Sequence, residues 1–321
     1  MSHQTPLVAA PKKRGRLIAA IVAAVVLLAA IVGIVLAVNA NNARSSDSTA
    51  PGAVTEGEGS PSDPVKIGVV GLSDPYWEEY EQAAEDAGIS VELVDFTDYA
   101  QPNPALTEGD LDLNQFQHII YLAQYNTSAG EDLTPIGSTA IYPLGLYSTQ
   151  YDSVEDIPDG ATVAIPNDAS NLARALLVLQ SAGLVELQDG GSPFSTIDDV
   201  LDTSRVEVTT LEAALTPTSL PDVAAAIINN DFVDEAGLSF DEAIATDDPA
   251  DPSAQPYINI FASRAEDKDN EVYRRLVEIF QTTPAVTDGL LEVSGNTAVL
   301  VRTPVAELEE SLATVESQIE Q

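Results

Sequence analysis

From Val65 onward the apolar positions switch repeatedly between a strand-like and a helix-like period. VKIGVV at 65–70 is the continuous apolar run of a buried strand. Pro75 to Ala87 carries apolar residues at helical spacing and is stopped by Gly88, and ISVELVDF at 89–96 is strand-like again. Strand, helix, strand in that order predicts an α/β fold with a parallel sheet. Further along, 111–113 reads as a short strand and 115–124 as a helix. Thr139 to Tyr147 is extended, with Pro143 and Gly145 inside it, and suits a crossover between lobes. Strands are expected at 205–209, 222–228 and 257–263, a short helix from Asn230, and helices at 269–281 and 305–319.

The pattern is densest at 165–184, IPNDASNLARALLVLQSAGL. Ala161 to Ile165 ends a strand, Pro166 breaks it, and Asn167 or Asp168 is placed to cap a helix that Gly183 stops. Leu172, Ala175, Leu176 and Leu179 share one face, but Leu177 and Val178 make the opposite face apolar too, so the helix is expected to be buried. Arg174 interrupts it as the only Lys or Arg between Lys66 and Arg205. A buried guanidinium needs a carboxylate beside it. That carboxylate is either one of the chain's own Asp or Glu side chains or one that arrives with a ligand.

The N-terminal segment has a different pattern. KKRGR at 12–16 precedes Leu17 to Val38, 22 residues without a charge, enough to cross a hydrocarbon core about 30 Å thick. Four basic residues before it and Arg44 alone just after predict residues 1–16 in the cytoplasm and the rest outside. A transmembrane anchor is therefore expected at 17–38; the alternative is a leader cleaved after Ala40. Residues 39–63, rich in Ser, Gly, Ala, Pro and Asn, are expected to form a flexible linker.

Composition narrows the chemistry. The 321 residues include no cysteine and two histidines, His3 and His118, so thiol catalysis, lipid attachment to cysteine and metal sites built on several histidines are excluded. No cofactor is expected. The chain has 13 basic and 51 acidic residues, a formal net charge of −38, which disfavours nucleic acid as a partner. No pair of acidic residues stands in a catalytic motif, so an enzyme is not expected.

Two further stretches are candidates for binding. In DLNQFQHIIYL at 112–122, Asn114, Phe116 and His118 gather where a strand gives way to a helix, the end of an open α/β sheet at which ligands sit. The alternative is core packing by Phe116 and a capping role for His118. In AAAIINNDF at 224–232, Asn229 and Asn230 end a buried strand, as turn residues or as amides facing a polar ligand.

Taken together, VDFTDYAQPNPAL (94–106), DLNQFQHIIYL (112–122), YPLGLYS (142–148), the 165–184 stretch, AIINNDF (226–232) and YINIFASRAEDKDN (257–270) resemble, in order and separation, the methionine-binding lipoproteins that serve ABC importers. The resemblance implies a two-lobed α/β fold of the periplasmic-binding-protein type (type II), with lobe I at 64–146 plus 258–321 and lobe II at 147–257. It also implies an amino acid, methionine foremost, enclosed between the lobes and handed to an ABC permease and its ATPase. The family's ligand-binding arginine matches Arg174 and its strand-end asparagine matches Asn229. Phe116, with His118 and Tyr121 beside it, matches the side-chain pocket; Asn114 lies in the same block, and the first loop, 71–77, is implied to face the cleft through Trp77.

The chain departs from the family in lacking the lipid-attachment cysteine, in carrying Trp77 where a GPH segment commonly has histidine, and in carrying Gln115 where an aromatic residue often precedes the Phe. The last two changes leave open a different hydrophobic amino acid, a methionine derivative or a short peptide. A ligand sensor or scaffold of the same fold is the rival class to an importer component.

Overall fold

The computed structural model describes residues 53–320. Lobe I is entered by β1 (Val65–Val70), α1 (Tyr76–Asp86), β2 (Val91–Phe96), α2 (Pro102–Glu108), β3 (Leu113–His118), α3 (Ile119–Ala129) and β4 (Thr134–Ser138). A short strand β5 (Ala140–Ile141) leads into the crossover. Lobe II follows with β6 (Gly145–Tyr147), β7 (Thr162–Pro166), α4 (Ala169–Ser181), β8 (Glu207–Leu211), β9 (Ala225–Ile228) and β10 (Ala245–Thr246). The chain then returns to lobe I as β11 (Asn259–Ser263), α5 (Glu271–Thr282), α6 (Pro284–Val293), β12 (Val299–Leu300) and α7 (Val305–Ile319).

Two five-stranded sheets result, in the orders β2-β1-β3-β11-β4 and β10-β6-β9-β7-β8. The opening strands pair in parallel, as the strand-helix-strand order predicts, and so do β7, β8 and β9. Both sheets are nevertheless mixed. β11 runs antiparallel to β3 and β4, and β6 antiparallel to β9. Each is the first strand after a crossover between the sheets. β5 still pairs with β12 of lobe I and β6 belongs to the second sheet, so the chain passes between the sheets at residues 142–144, slightly ahead of the expected boundary at 147. The return lies between β10 and β11.

Three expectations are revised. The stretch 113–118 is a strand throughout, and the helix starts at Ile119, not at 115. Its polar residues tolerate full burial because they bond to one another: Asn114 donates to Asn103, and Gln117 donates to both Asn103 and Asn114, at 2.6–2.9 Å. The register against β11 slips by one residue here, leaving Phe116 without a cross-strand partner, as in a bulge that re-aims a side chain. The second revision concerns the linker: its final part, from residue 53, packs on lobe I. Glu58 accepts hydrogen bonds from Asn270 and Tyr273, Ser60 is fully buried, and Ser90 N–H donates to Gly59 O at 2.7 Å. The third concerns Trp77, taken up below. The expected anchor at 17–38 lies outside the described residues; among the described residues no helix is long and apolar enough to cross a membrane.

Lobe I has an apolar cluster on each face of its sheet, one around Trp77, Tyr80 and Phe280 and one around Ile119, Leu122 and Leu308. Lobe II has its own core around Leu176, Leu179 and Ile227. A fourth cluster joins Val70, Tyr99 and Phe116 of lobe I to Ala164, Ile228 and Phe232 of lobe II. The lobes therefore meet across apolar surface at the ends of β3 and β9, which face each other there.

Candidate functional site

The cavity where the lobes meet is narrow and lined by Tyr99, Phe116, His118 and Tyr121 from lobe I, Tyr142 at the crossover, and Asn171, Arg174, Asn229, Asn230 and Asp231 from lobe II. Five of the seven residues singled out from the sequence thus come together: Arg174, Asn229, Phe116, His118 and Tyr121. The other two do not. Trp77 is 1 % exposed and packs against Tyr76, Tyr80 and Phe280 in the core of lobe I. It sits in the first turn of α1 on the face that covers the sheet, so its indole is a core side chain, not a wall of the cleft. Asn114 is fully buried one layer behind the cavity and holds the Asn103–Gln117 network.

Arg174 projects from the middle of α4. The helix is capped as predicted, by Asp168, whose carboxylate accepts from Asn171 N–H at 2.9 Å, and it ends before Gly183 at φ 71°. Its faces are apolar, which leaves Arg174 only 5 % exposed. The carboxylate that this burial demands comes from the chain itself: Nε donates to Asp247 Oδ2 at 2.6 Å. Nη2 donates to the Tyr142 carbonyl at 2.7 Å, and the guanidinium carbon lies 4.3 Å from the centre of the Tyr257 ring. Asp247 also accepts from Leu144 N–H at 2.8 Å. Arg174 is therefore bonded to both connections between the lobes, since Tyr142 and Leu144 lie on the outgoing one and Asp247 and Tyr257 on the return. A fork held from two sides is fixed in orientation, which a flexible ammonium could not match.

A second chain of bonds runs from Asp168 to Asn229. Both Asp168 oxygens accept from Asn171 Nδ2, at 3.0 and 3.1 Å, which turns Asn171 Oδ1 towards the cleft. That oxygen accepts from Asn229 Nδ2 at 3.0 Å and faces His118 Nε2 at 3.5 Å. His118 caps α3, its Nδ1 accepting from Tyr121 N–H at 3.2 Å, so the ring proton sits on Nε2. Burial, helped by the nearby Arg174 charge, pushes its pKa down to about 3, and the ring is neutral at physiological pH. Both halves of the alternative reading of this stretch, a capping histidine and a packed Phe116, hold alongside the cavity-lining one.

Sequence reasoning passed over Tyr99, Asn171, Asp231 and Asp247. Tyr99 OH donates to Asp231 Oδ2 at 2.7 Å, across the two lobes, and the Phe232 ring lies 5.2 Å from that of Tyr99. Burial and the Asp231 carboxylate both push the Tyr99 phenol up, so it remains the donor. Tyr99, Phe116 and Tyr121 form a mutually tilted aromatic group at 5.7–6.3 Å. The cavity thus pairs an apolar aromatic wall with a charged and amide-lined rim, the arrangement expected of a site for a small molecule with one polar end.

Comparison with known proteins agrees in extent and fold. A family described as NlpA lipoprotein matches residues 65–300. The chain is 40 % identical over 215 residues to a probable D-methionine-binding lipoprotein of Pasteurella multocida (strain Pm70), covering 66 % of this chain and 76 % of that one. Among solved structures it is similar to a nutrient-binding protein from Burkholderia cenocepacia bound to methionine, with a TM-score of 0.69, 36 % identity and coverage of 74 % and 99 % of the two chains. It is likewise similar to the substrate-binding protein of a methionine transporter from Streptococcus pneumoniae, with a TM-score of 0.69, 32 % identity and coverage of 74 % and 95 %.

Proposed function

The chain belongs to the NlpA lipoprotein family, and on that premise we propose that it is the extracytoplasmic solute-binding component of an ABC importer, capturing methionine between its lobes. It is a binding protein and not an enzyme. The observation that carries the reading is the convergence, in one interlobe cavity, of a fixed guanidinium and three aromatic rings. The choice of methionine draws on relatives described as methionine-binding or bound to methionine.

The ligand carboxylate approaches Arg174 from the cleft. Asp247 already occupies the Nε edge, so the two-bond contact usual for a carboxylate is made with the remaining N–H groups of the Nη end. Asp247 and Tyr257 then act from behind, holding the fork still while ligand comes and goes. The thioether chain lies against Phe116, Tyr99 and Tyr121, where sulfur gains about 0.3–1.5 kcal/mol per aromatic contact. Asn229 and His118 supply the amide and imidazole at the polar rim.

Because Arg174 bonds to both crossovers, a ligand drawn to it is drawn to the hinge. By bridging the lobes, ligand biases the open–closed equilibrium towards closed, and the closed form is what the permease receives. With no cysteine in the chain, attachment to the membrane falls to the apolar segment at 17–38, which places the lobes outside the cytoplasm. Titration calorimetry on ligand-stripped protein tests the reading: L- or D-methionine should bind at micromolar or tighter concentrations. Binding of a different amino acid alone would move the specificity, and uptake unchanged after deletion of the gene would favour a sensor.

A further inference from the structure

Between Leu187 and Val200 the chain makes an excursion that begins and ends on lobe II and touches lobe I at its tip. Its base is closed by a β-bridge between Leu187 and Val200, both packed in the lobe II core. Gln180 of α4 clasps the rising limb, its side-chain oxygen accepting from Leu187 N–H at 3.0 Å and its Nε2 donating to the Gly190 carbonyl at 2.8 Å. Gly191, at φ 75° and ψ 166°, has a backbone conformation essentially confined to glycine, and it lies close against Leu187 and Leu177. The tip is a tight turn held by its own serines. Ser192 N–H donates to Ser195 Oγ at 2.9 Å, and Phe194 N–H to Ser192 Oγ at 3.1 Å. On the descending limb Thr196 and Asp199 form a capping box. The arm 188–199 is thus bonded throughout and rooted on α4, the helix that carries Arg174.

The tip reaches the other lobe. Half-buried Phe194 packs against the lobe I cluster around Ile119, Leu122 and Leu308. It lines a groove of about 600 Å³ with Gln124 and Ser128 of α3, Gln318 and Ile319 of α7, and Leu172 of α4. This contact joins the lobes independently of both crossovers. The root moves with lobe II while the tip rests on lobe I, so a rotation at the crossovers that parts the lobes here draws the ring off α3 and α7 into water. Exposing an aromatic ring costs free energy in proportion to its apolar area, and the contact therefore favours the closed arrangement. Ile197, three positions further along the same arm, is 38 % exposed and provides the contrast.

We propose that the arm 188–199 is a closure latch, and that Phe194 at its tip sets how tightly captured ligand is held without touching it. The proposal rests on the capture reading above and adds to it a residue outside the cavity. Apparent affinity is the intrinsic affinity scaled by the population of the binding-competent closed state. Removing the ring shifts that population towards open and weakens every ligand by the same factor. A residue of the cavity wall would instead discriminate among ligand side chains, so a common factor is the signature of the latch.

The test uses the full chain, stripped of ligand by unfolding and refolding, with calorimetric titration of L-methionine, D-methionine and a panel of other amino acids. Phe194→Ala should weaken every ligand that binds by a common factor of about 10, whereas Ile197→Ala should stay within about twofold of wild type. Phe194→Leu, which keeps an apolar side chain, should retain most of the affinity and serves if the Ala variant does not fold. A second readout is independent of affinity. In Trp77→Phe/Phe194→Trp the sole tryptophan lies at the tip, and saturating ligand should move its emission to shorter wavelength and shield it from acrylamide. Unchanged affinity in Phe194→Ala, or an indole equally accessible with and without ligand, would overturn the latch and leave capture standing. Equal weakening by Ile197→Ala would also overturn it, by assigning the effect to the fold of the arm. If another amino acid binds and Phe194→Ala weakens it, the methionine assignment alone is lost. Absence of binding to any member of the panel overturns both.

Discussion

The two polar ends of the cavity contrast in how completely the chain satisfies itself. At the Arg174 end the guanidinium already has a carboxylate, a carbonyl and an aromatic ring from the fold. At the Asn229 end a relay of side chains terminates in buried acceptors with no partner among the described residues. The first end is complete within the fold and bonded to both crossovers; on the proposed reading, the second is where ligand adds partners. Rigidity and recognition are thus supplied from opposite corners of one cavity, which lowers the ordering cost of capture at the first and places the demand for donors at the second.

The contrast can be broken most severely at its built end. Arg174→Ala should cut methionine affinity by about 10³-fold or more and lower stability by roughly 3 kcal/mol, since Asp247 and the Tyr142 carbonyl lose their partner. Calorimetry and thermal unfolding measure the two effects, and loss of affinity with no loss of stability would mean that the network does not support the hinge. At the open end, Asn229→Ala should cost affinity by roughly 10- to 100-fold while leaving the melting temperature closer to wild type than Arg174→Ala does. An equal drop in stability for the two variants would erase the distinction between the corners.

Between the corners, His118 links them through pH. Its pKa is about 3 in the folded chain and about 6.5 unfolded. The unfolded state therefore binds more protons between those values, and stability falls as pH is lowered through the window from 6.5 towards 3. Carboxylates add their own pH dependence, so the comparison is with His118→Gln: its stability should fall less steeply between pH 6.5 and 4, and parallel curves would contradict a buried neutral imidazole. The smallest effect on binding belongs to Trp77→Phe. It should destabilise lobe I by about 1–3 kcal/mol yet leave methionine affinity within roughly twofold, because the indole packs on Tyr80 and Phe280, away from the cavity. A marked affinity change would return Trp77 to the cleft.

Which parts of this were legible in the sequence follows from where the deciding contacts lie. The capped, all-round apolar helix of 169–181 and the lone cation inside it are local features, and both read correctly. The partner of that cation is not local. Asp247 is 73 positions away on an irregular segment and is one of 51 acidic residues, so nothing in the pattern distinguishes it. Asp231 is hidden in the same crowd; only the fold brings it opposite Tyr99, 132 positions earlier. The pattern predicts a strand at 111–113 and a helix from 115, whereas 113–118 is a strand whose glutamines and asparagine are all buried. Their burial depends on Asn103, at the start of a short helix that carries little periodicity of its own. Trp77 was placed at the cleft by the resemblance of its loop, whereas its helical position turns it to the core.

On the proposed reading, one cavity receives methionine between the Arg174 and Asn229 ends. The most direct measurement is a calorimetric titration of ligand-stripped protein with methionine, in wild type and Arg174→Ala. Saturable one-to-one binding in wild type that vanishes in the variant, with the variant still folded by circular dichroism, is the predicted result. Methionine binding that survives loss of the guanidinium would contradict it.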